Sequence, residues 1–136
     1  MFFIDPPVPG KEQDSVKQLE DILEKHGDEV AAFIFEPLVQ GAAGMVMHSA
    51  ATLDKLISLC HENKVLAIAD EVMTGFRVAL EGAQGHFGVT PDLTCLGKIV
   101  GGGLPGPGPD PGPARVRGTC EVVGGVAGGP PRKSGT

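Results

Sequence analysis

The stretch that decides the fold reads Val65-Leu-Ala-Ile-Ala-Asp-Glu71, five apolar residues followed at once by two acidic ones. A short, unbroken apolar run of this kind is typical of a strand that is buried on both faces of a parallel sheet. We therefore predict a strand over 65–69, with Asp70 and Glu71 at its carboxyl end.

A similar run lies upstream, where Val30-Ala-Ala-Phe-Ile-Phe35 is followed by Glu36-Pro37. It predicts a second buried strand. Between the two strands, small residues at 41–44 predict a flexible loop, and Ser49 is a candidate helix cap. The helix that follows is indicated by apolar residues at helical spacing, namely Leu53, Leu56, Ile57 and Cys60. Strand, helix and strand in this order predict a βαβ unit of an α/β fold.

A third strand is predicted downstream over Leu93–Leu96, and it ends at Gly97-Lys98. Parallel strands bring their carboxyl ends to one edge of the sheet, where open α/β folds place their ligands. We therefore expect Glu36, Asp70 and Lys98 to meet at that edge, which indicates a candidate site.

The two ends of the chain differ in character. Near the start, Asp14 or Ser15 is predicted to cap a helix that ends at Gly27, with Val16, Leu19, Ile22 and Leu23 as its apolar stripe. Residues 106–136 contain nine Gly and six Pro and have no apolar periodicity. Such a segment cannot bury enough apolar surface to offset its ordering entropy. We therefore predict one domain over 1–105 and a disordered, low-complexity tail over 106–136.

Composition excludes several classes of protein. The net charge of −6 argues against nonspecific binding to nucleic acid. Three widely spaced cysteines (Cys60, Cys95 and Cys120) favour reduced thiols over a disulfide framework or a zinc knuckle. No apolar run approaches the roughly 20 residues of a membrane span. The first residues lack the basic segment of a signal peptide. A cytoplasmic location is expected.

Other catalytic motifs fit poorly. Lys98 is followed by Ile99 rather than Ser or Thr, which argues against a nucleotide-binding P-loop. His61-Glu62 lacks the second His of a zinc protease at helical spacing. The isolated His26, His48 and His86 are expected on the surface or in loops. Arg77 could hold a substrate carboxylate or form a structural salt bridge.

Two longer motifs carry a specific resemblance. Residues 70–78 read Asp-Glu-Val-Met-Thr-Gly-Phe-Arg-Val, and residues 91–103 read Pro-Asp-Leu-Thr-Cys-Leu-Gly-Lys-Ile-Val-Gly-Gly-Gly. Both closely resemble the class III aminotransferase family of pyridoxal 5'-phosphate (PLP) enzymes, in particular its glutamate-1-semialdehyde 2,1-aminomutase branch. Residues 36–45, Glu-Pro-Leu-Val-Gln-Gly-Ala-Ala-Gly-Met, are more similar to the diamine and biotin-pathway transaminases of that family.

The resemblance implies a fold and a set of site residues. The chain would form part of the large domain of a fold-type I PLP enzyme. Lys98 would be the Schiff-base lysine, Asp70 would pair with the pyridine nitrogen and Val72 would pack on the ring. Glu36 would line the site. Outside such a motif, Lys98 would be an ordinary surface lysine, Val72 a core residue and Glu36 a capping carboxylate.

The resemblance also implies a function and partners. The expected reaction moves an amino group within a small, amino-acid-derived substrate, and the full-length family forms homodimers, with no nucleic acid or membrane as partner. The alternatives are a class III transaminase and a catalytically inactive, truncated product. The aminomutase fragment is the main expectation. For these 136 residues taken alone, the missing phosphate loop of the family favours the inactive product. The tail reads like the result of a shifted reading frame.

Overall fold

The structure is a computed structural model that describes residues 1–41 and 43–101. Its helices are α1 (Glu12–His26), α2 (Ala50–Glu62) and α3 (Gly82–Phe87), and a 3₁₀ turn (Gly27–Glu29) follows α1. Its strands are β1 (Ala32–Phe35), β2 (Val39–Gln40), β3 (Val46–Met47), β4 (Leu66–Asp70) and β5 (Leu93–Cys95). The predicted disorder of 106–136 concerns residues outside the described part.

Three strands form a parallel sheet in the order β1-β4-β5. Phe35 aligns with Ala69 between β1 and β4, and Asp70 aligns with Cys95 between β4 and β5. Helix α2 lies between β1 and β4 in the chain, which is the crossover that a parallel pair requires. The predicted α/β fold and its βαβ unit are confirmed.

The core lies between this sheet and the first two helices. Helices α1 and α2 share one apolar cluster, in which Leu19, Leu56 and Cys60 are buried. A second cluster joins α2 to the sheet and consists of Phe35, Leu53, Ile57, Ala67, Ala69 and Val89. On this face β4 contributes Ala67 and Ala69, which are buried in the same cluster as Leu53 and Ile57 of α2. The predicted apolar stripe of α2 is therefore confirmed as its packing face.

The expectation that the first two strands are buried on both faces is wrong for the described residues. Ile34 is 49 % exposed and Leu66 is 47 % exposed, whereas Ala67 and Ala69 are fully buried. Side chains alternate between the two faces of a strand. The helices α1 and α2 pack on the face that carries Ala67 and Ala69, so the opposite face stays open within residues 1–41 and 43–101.

Local details differ from the sequence predictions in three places. Helix α1 begins at Glu12 after Lys11, which makes no side-chain cap, so Asp14 lies in the first turn instead of capping it. The turn at residues 41, 43 and 44 agrees with the expected loop, but it lies between two paired strands, β2 and β3, that the sequence did not predict. Helix α3 was not predicted. The cap of α2 is confirmed, because the Ser49 hydroxyl accepts a hydrogen bond from the Thr52 amide at 3.2 Å.

The amino end of β5 is fixed by the carboxylate of Asp92. Its Oδ2 atom accepts hydrogen bonds from the Ala67 amide at 2.8 Å and pairs with His61 Nε2 at 2.9 Å. The Ala67 amide first, and the His61 side chain after it, lower the pKa of Asp92. Nearby, burial and the charge of Asp92 raise the pKa of the Cys60 thiol to about 12. These bonds join α2, β4 and β5 at the end of the sheet opposite to the carboxyl ends of the strands.

Among the described helices, none is both long and apolar enough to cross a membrane.

We predict that Leu53→Ala lowers the free energy of unfolding by about 2–5 kcal/mol, the cost of emptying a buried leucine site. Leu53 is only 1 % exposed and joins α2 to the sheet. Leu66→Ala is the matched control on the open face of β4 and should cost well under half as much. Urea unfolding followed by circular dichroism measures both, and equal losses would contradict the described core.

The Asp92 contacts predict a dependence of stability on pH. A carboxyl group whose pKa is lowered on folding stabilises the native state above its unfolded pKa of about 3.9 and loses that effect as the pH falls. Asp92→Asn should therefore lower the urea midpoint at pH 7, and the difference from the parent should shrink below about pH 4. Asp54→Asn, on the exposed side of α2, is the control. A pH-independent difference would argue against this role of Asp92.

Candidate functional site

The carboxyl edge of the parallel sheet carries the three residues that the sequence singled out. Glu36 follows β1 directly, Asp70 is the last residue of β4, and Lys98 comes three residues after the end of β5. The register places Phe35 beside Ala69 and Asp70 beside Cys95. The predicted convergence of these strand ends is therefore observed.

The Asp70 carboxylate is half-buried and held by its own chain. Its Oδ1 atom accepts a hydrogen bond from the Val72 amide at 3.0 Å. The Oδ2 atom has no hydrogen-bond partner among residues 1–41 and 43–101. Asp70 is therefore a carboxylate in a fixed orientation with one oxygen left to accept a hydrogen bond or to face a cation.

Lys98 is presented by a tight turn. Its φ angle is +48°, the left-handed region that lysine rarely adopts. Two hydrogen bonds close the turn, from the Val100 amide to the Gly97 carbonyl at 3.3 Å and from the Gly101 amide to the Lys98 carbonyl at 3.1 Å. The Lys98 side chain is exposed and forms no ion pair within the described residues.

Val72 and Gly97 bring the β4 and β5 ends into contact. A Cβ atom added to Gly97 would lie 3.2 Å from Val72 Cγ1 and 3.4 Å from Val72 Cγ2. Glycine at position 97 therefore lets the chain before Lys98 pass close to the Val72 side chain. The result is an apolar contact between the segment that follows Asp70 and the segment that precedes Lys98.

Glu36 is connected to the hairpin rather than to Asp70 or Lys98. Its Oε2 atom accepts a hydrogen bond from the Gly41 amide at 3.0 Å. A Cβ atom added to Gly41 would lie 2.8 Å from Met73 Sδ, so the hairpin packs against the segment after β4. Through this hydrogen bond Glu36 caps the turn of the hairpin. The sequence allowed two roles for Glu36, a site-lining residue and a capping carboxylate, and the observed contact is of the capping kind.

Glu71 is the residue that sequence reasoning missed. It is 1 % exposed. Its Oε2 atom accepts hydrogen bonds from the Ala83 amide at 2.9 Å and from the Thr74 hydroxyl, and its Oε1 atom accepts one from the Gln84 amide at 2.7 Å. We call this set of contacts, made by Glu71, Thr74, Ala83 and Gln84, the Glu71 brace.

Two glycines make room for the Glu71 brace. Gly82 has a φ angle of +74°, and a Cβ atom there would lie 2.7 Å from Glu71 Oε1. A Cβ atom on Gly75 would lie 2.7 Å from the Glu71 carbonyl oxygen and 2.8 Å from Leu96 Cδ2. The sequence shows Glu71 only as the second acidic residue of Asp70-Glu71. It does not show the hydrogen-bond partners of Glu71, because these lie up to 13 residues away in the chain.

The other residues that the sequence analysis considered, His26, His61 and Arg77, form no hydrogen bond, ion pair or ring contact with Asp70, Val72 or Lys98 within the described residues. His26 stacks on Phe2 with ring centroids 4.5 Å apart, and His61 pairs with Asp92. Arg77 is exposed, and no ion pair to it is present in the described part of the chain. No group of three or more His, Cys, Asp or Glu residues that could hold a metal ion occurs within 1–41 and 43–101.

This edge carries a carboxylate and an amine at the ends of two neighbouring strands, Asp70 after β4 and Lys98 after β5. Lys98 can act as a nucleophile or carry protons, and Asp70 can stabilise a positive charge in front of its open oxygen. Val72 offers an apolar surface on which a flat ring can lie. Together these groups could hold a pyridine-type cofactor.

Comparison with known proteins identifies relatives of this chain. The chain is 53% identical over 88 residues to the glutamate-1-semialdehyde 2,1-aminomutase of Syntrophobacter fumaroxidans, an alignment that covers 65% of this chain and 20% of that protein. The chain spans about a fifth of the length of the curated relatives it matches.

Solved structures show the same fold. Ornithine delta-aminotransferase of Plasmodium falciparum superposes with a TM-score of 0.59 and 41% identity, covering 66% of this chain and 23% of that one. A transaminase solved with PLP bound gives a TM-score of 0.58 and 29% identity over 69% of this chain and 21% of that one.

The family model for class-III aminotransferases matches residues 5–109, a range that contains every strand of the sheet and all the strand-end residues described above. This chain therefore belongs to the class-III aminotransferase family.

Proposed function

We propose that this chain supplies the lysine and the pyridine-facing carboxylate of a PLP-dependent aminomutase that acts on glutamate-1-semialdehyde. The observation that carries the proposal is the placement of Asp70 and Lys98 at neighbouring ends of parallel strands, with Val72 in contact with Gly97 between them. When bound, PLP supplies an electron sink for bonds broken at the substrate carbon.

The residues at the edge fit that cofactor. Asp70 Oδ2 is free to accept a hydrogen bond from a protonated ring nitrogen, since Oδ1 is already occupied by the Val72 amide. Lys98 Nζ would bind the cofactor covalently through its aldehyde carbon and, once released, would carry a proton to and from the substrate carbon. Val72 would contact the ring, and Glu36 would hold the hairpin that borders it.

The proposal extends to the organisation of the chain and its partners. Residues 1–105 would be part of the PLP-binding domain, and 106–136 would be a segment outside it. The substrate would be a small, amino-acid-derived molecule, and the complete enzyme would work as a homodimer in the cytoplasm. The identity of about half over 88 residues to the Syntrophobacter aminomutase supports the choice of substrate.

A second candidate function is that of a class III transaminase, which passes the amino group to a separate keto acid. The observation that favours it is the structural similarity to ornithine delta-aminotransferase at 41% identity. Residues 36–45 also resemble transaminases of the family. The two functions share the roles proposed for Lys98 and Asp70 and differ in the substrate.

We predict that Lys98 is the lysine on which PLP reacts preferentially. After incubation of the chain with PLP and reduction by borohydride, peptide mass mapping should show Lys98 labelled about tenfold or more above the exposed Lys64, because a charge-assisted hydrogen bond to Asp70 favours the bound cofactor. Asp70→Asn should lower the labelling of Lys98 and leave that of Lys64 unchanged. Equal labelling of all lysines would contradict the proposed site.

The substrate is tested by transplanting residues 5–101 into the corresponding part of the Syntrophobacter aminomutase. We expect the chimera to convert glutamate-1-semialdehyde, Lys98→Ala to abolish that activity and Asp70→Asn to slow it about ten- to thousand-fold. Lys64→Ala is the matched lysine control. A chimera that transfers amino groups only to added keto acids would support the transaminase instead.

A further inference from the structure

Glu71 lies in the chain between two residues of the proposed site, Asp70 and Val72. It forms hydrogen bonds to β5 through its backbone and to α3 through its side chain. Asp70 precedes it, and Val72, whose amide holds the Asp70 carboxylate, follows it. The Glu71 amide donates to the carbonyl of Cys95, the last residue of β5, at 2.9 Å. The backbone of Glu71 thus links the end of β4, with Asp70, to the strand that leads to Lys98.

The side chain of Glu71 makes this link specific. All three partners in the Glu71 brace are donors: the Ala83 and Gln84 amides and the Thr74 hydroxyl. An ionised carboxylate has two acceptor oxygens, whereas a glutamine side chain would present an NH₂ group that cannot accept. Both oxygens are required here, so the identity of the residue is fixed by its surroundings and not only by its volume.

We propose, on the basis of the function proposed above, that Glu71 is a positioning residue that sets Asp70 at the distance from Lys98 at which one cofactor can meet both. The contacts form one continuous path. Helix α3 and Thr74 hold the Glu71 carboxylate, the Glu71 backbone holds Cys95, and Val72 joins Asp70 to Gly97. Glu71 touches neither the cofactor nor the substrate in this assignment; it acts through Asp70.

Two threonines of the chain allow a matched test. Thr74 is 4 % exposed and donates to Glu71, and Thr94 is 8 % exposed and donates to Gln84 Oε1 at 3.2 Å. Thr74→Val and Thr94→Val each delete one buried hydroxyl next to α3, and only the first removes a bond of the Glu71 brace. Glu71→Gln is the direct variant, and the threonine pair still decides the matter if that chain does not fold.

The readout is the ratio of PLP labelling at Lys98 to that at Lys64 in the 136-residue chain, with folding checked by circular dichroism. We expect Thr74→Val to lower the ratio about three- to tenfold through the loss of one bond to a charged group. Thr94→Val should change it by less than about twofold. In an Asp70→Asn background, Thr74→Val should cause no further loss, because its effect passes through Asp70.

Several results would overturn the assignment. The first two are an unchanged labelling ratio in Thr74→Val and an equal fall of the ratio in both threonine variants. The third is a fall of the ratio caused by Thr74→Val that is just as large in the Asp70→Asn background. The fourth is unfolding of Thr74→Val while Thr94→Val stays folded. Each of these leaves the parent's Asp70-dependent labelling of Lys98 intact. A parent chain without preference for Lys98 would instead refute the proposed function itself, and the positioning role with it.

Discussion

The carboxylate of Glu71 is buried, and its need for hydrogen-bond donors shapes the segment that follows β4. A carboxylate removed from water is costly unless each oxygen is hydrogen-bonded. The donors are the amides of Ala83 and Gln84, in the first turn of α3, and the Thr74 hydroxyl. The chain between Glu71 and Gln84 must therefore fold back on the strand end, and Gly82 is required where it turns against the carboxylate. Asp70 and Val72 take their positions as neighbours of this fixed point.

The parallel sheet provides the other half of the arrangement. Strands β1, β4 and β5 are aligned by their hydrogen bonds, so residues that stand far apart in the chain arrive at one edge. Asp92 and His61 fix β5 against β4 at the opposite end. Because β5 is held near both ends, at Asp92 and at Cys95, the turn that carries Lys98 starts from a defined place.

The packing of the sheet is one-sided within the described residues. Helices α1 and α2 cover the face that carries Ala67 and Ala69, whereas Ile34 and Leu66 on the other face are about half exposed. The part of the chain that aligns with the curated relatives covers only about a fifth of their length. The apolar runs of β1 and β4 have the composition of strands that are covered on both faces. Within the described residues, only the face that carries Ala67 and Ala69 is covered.

The sequence by itself determined the elements that depend on local pattern. The apolar runs gave the strands, the spacing of Leu53, Leu56 and Ile57 gave α2, and Ser49 gave its cap, because a strand or helix records its buried face in a short period. The motifs around Asp70 and Lys98 gave the family. The sequence did not predict α3 or the β2–β3 hairpin, whose segments are short and lack a periodic apolar pattern.

Only the tertiary structure decided how those residues are held. The bonds from Glu71 to Thr74, Ala83 and Gln84, from Glu36 to Gly41, and from Asp92 to His61 and Ala67 join residues 3 to 31 positions apart. Hydrogen bonds of this kind depend on where the backbone turns, and no short period in the sequence records that. The same holds for the open face of the sheet, because the pattern of a strand shows which residues are apolar but not whether another layer covers them.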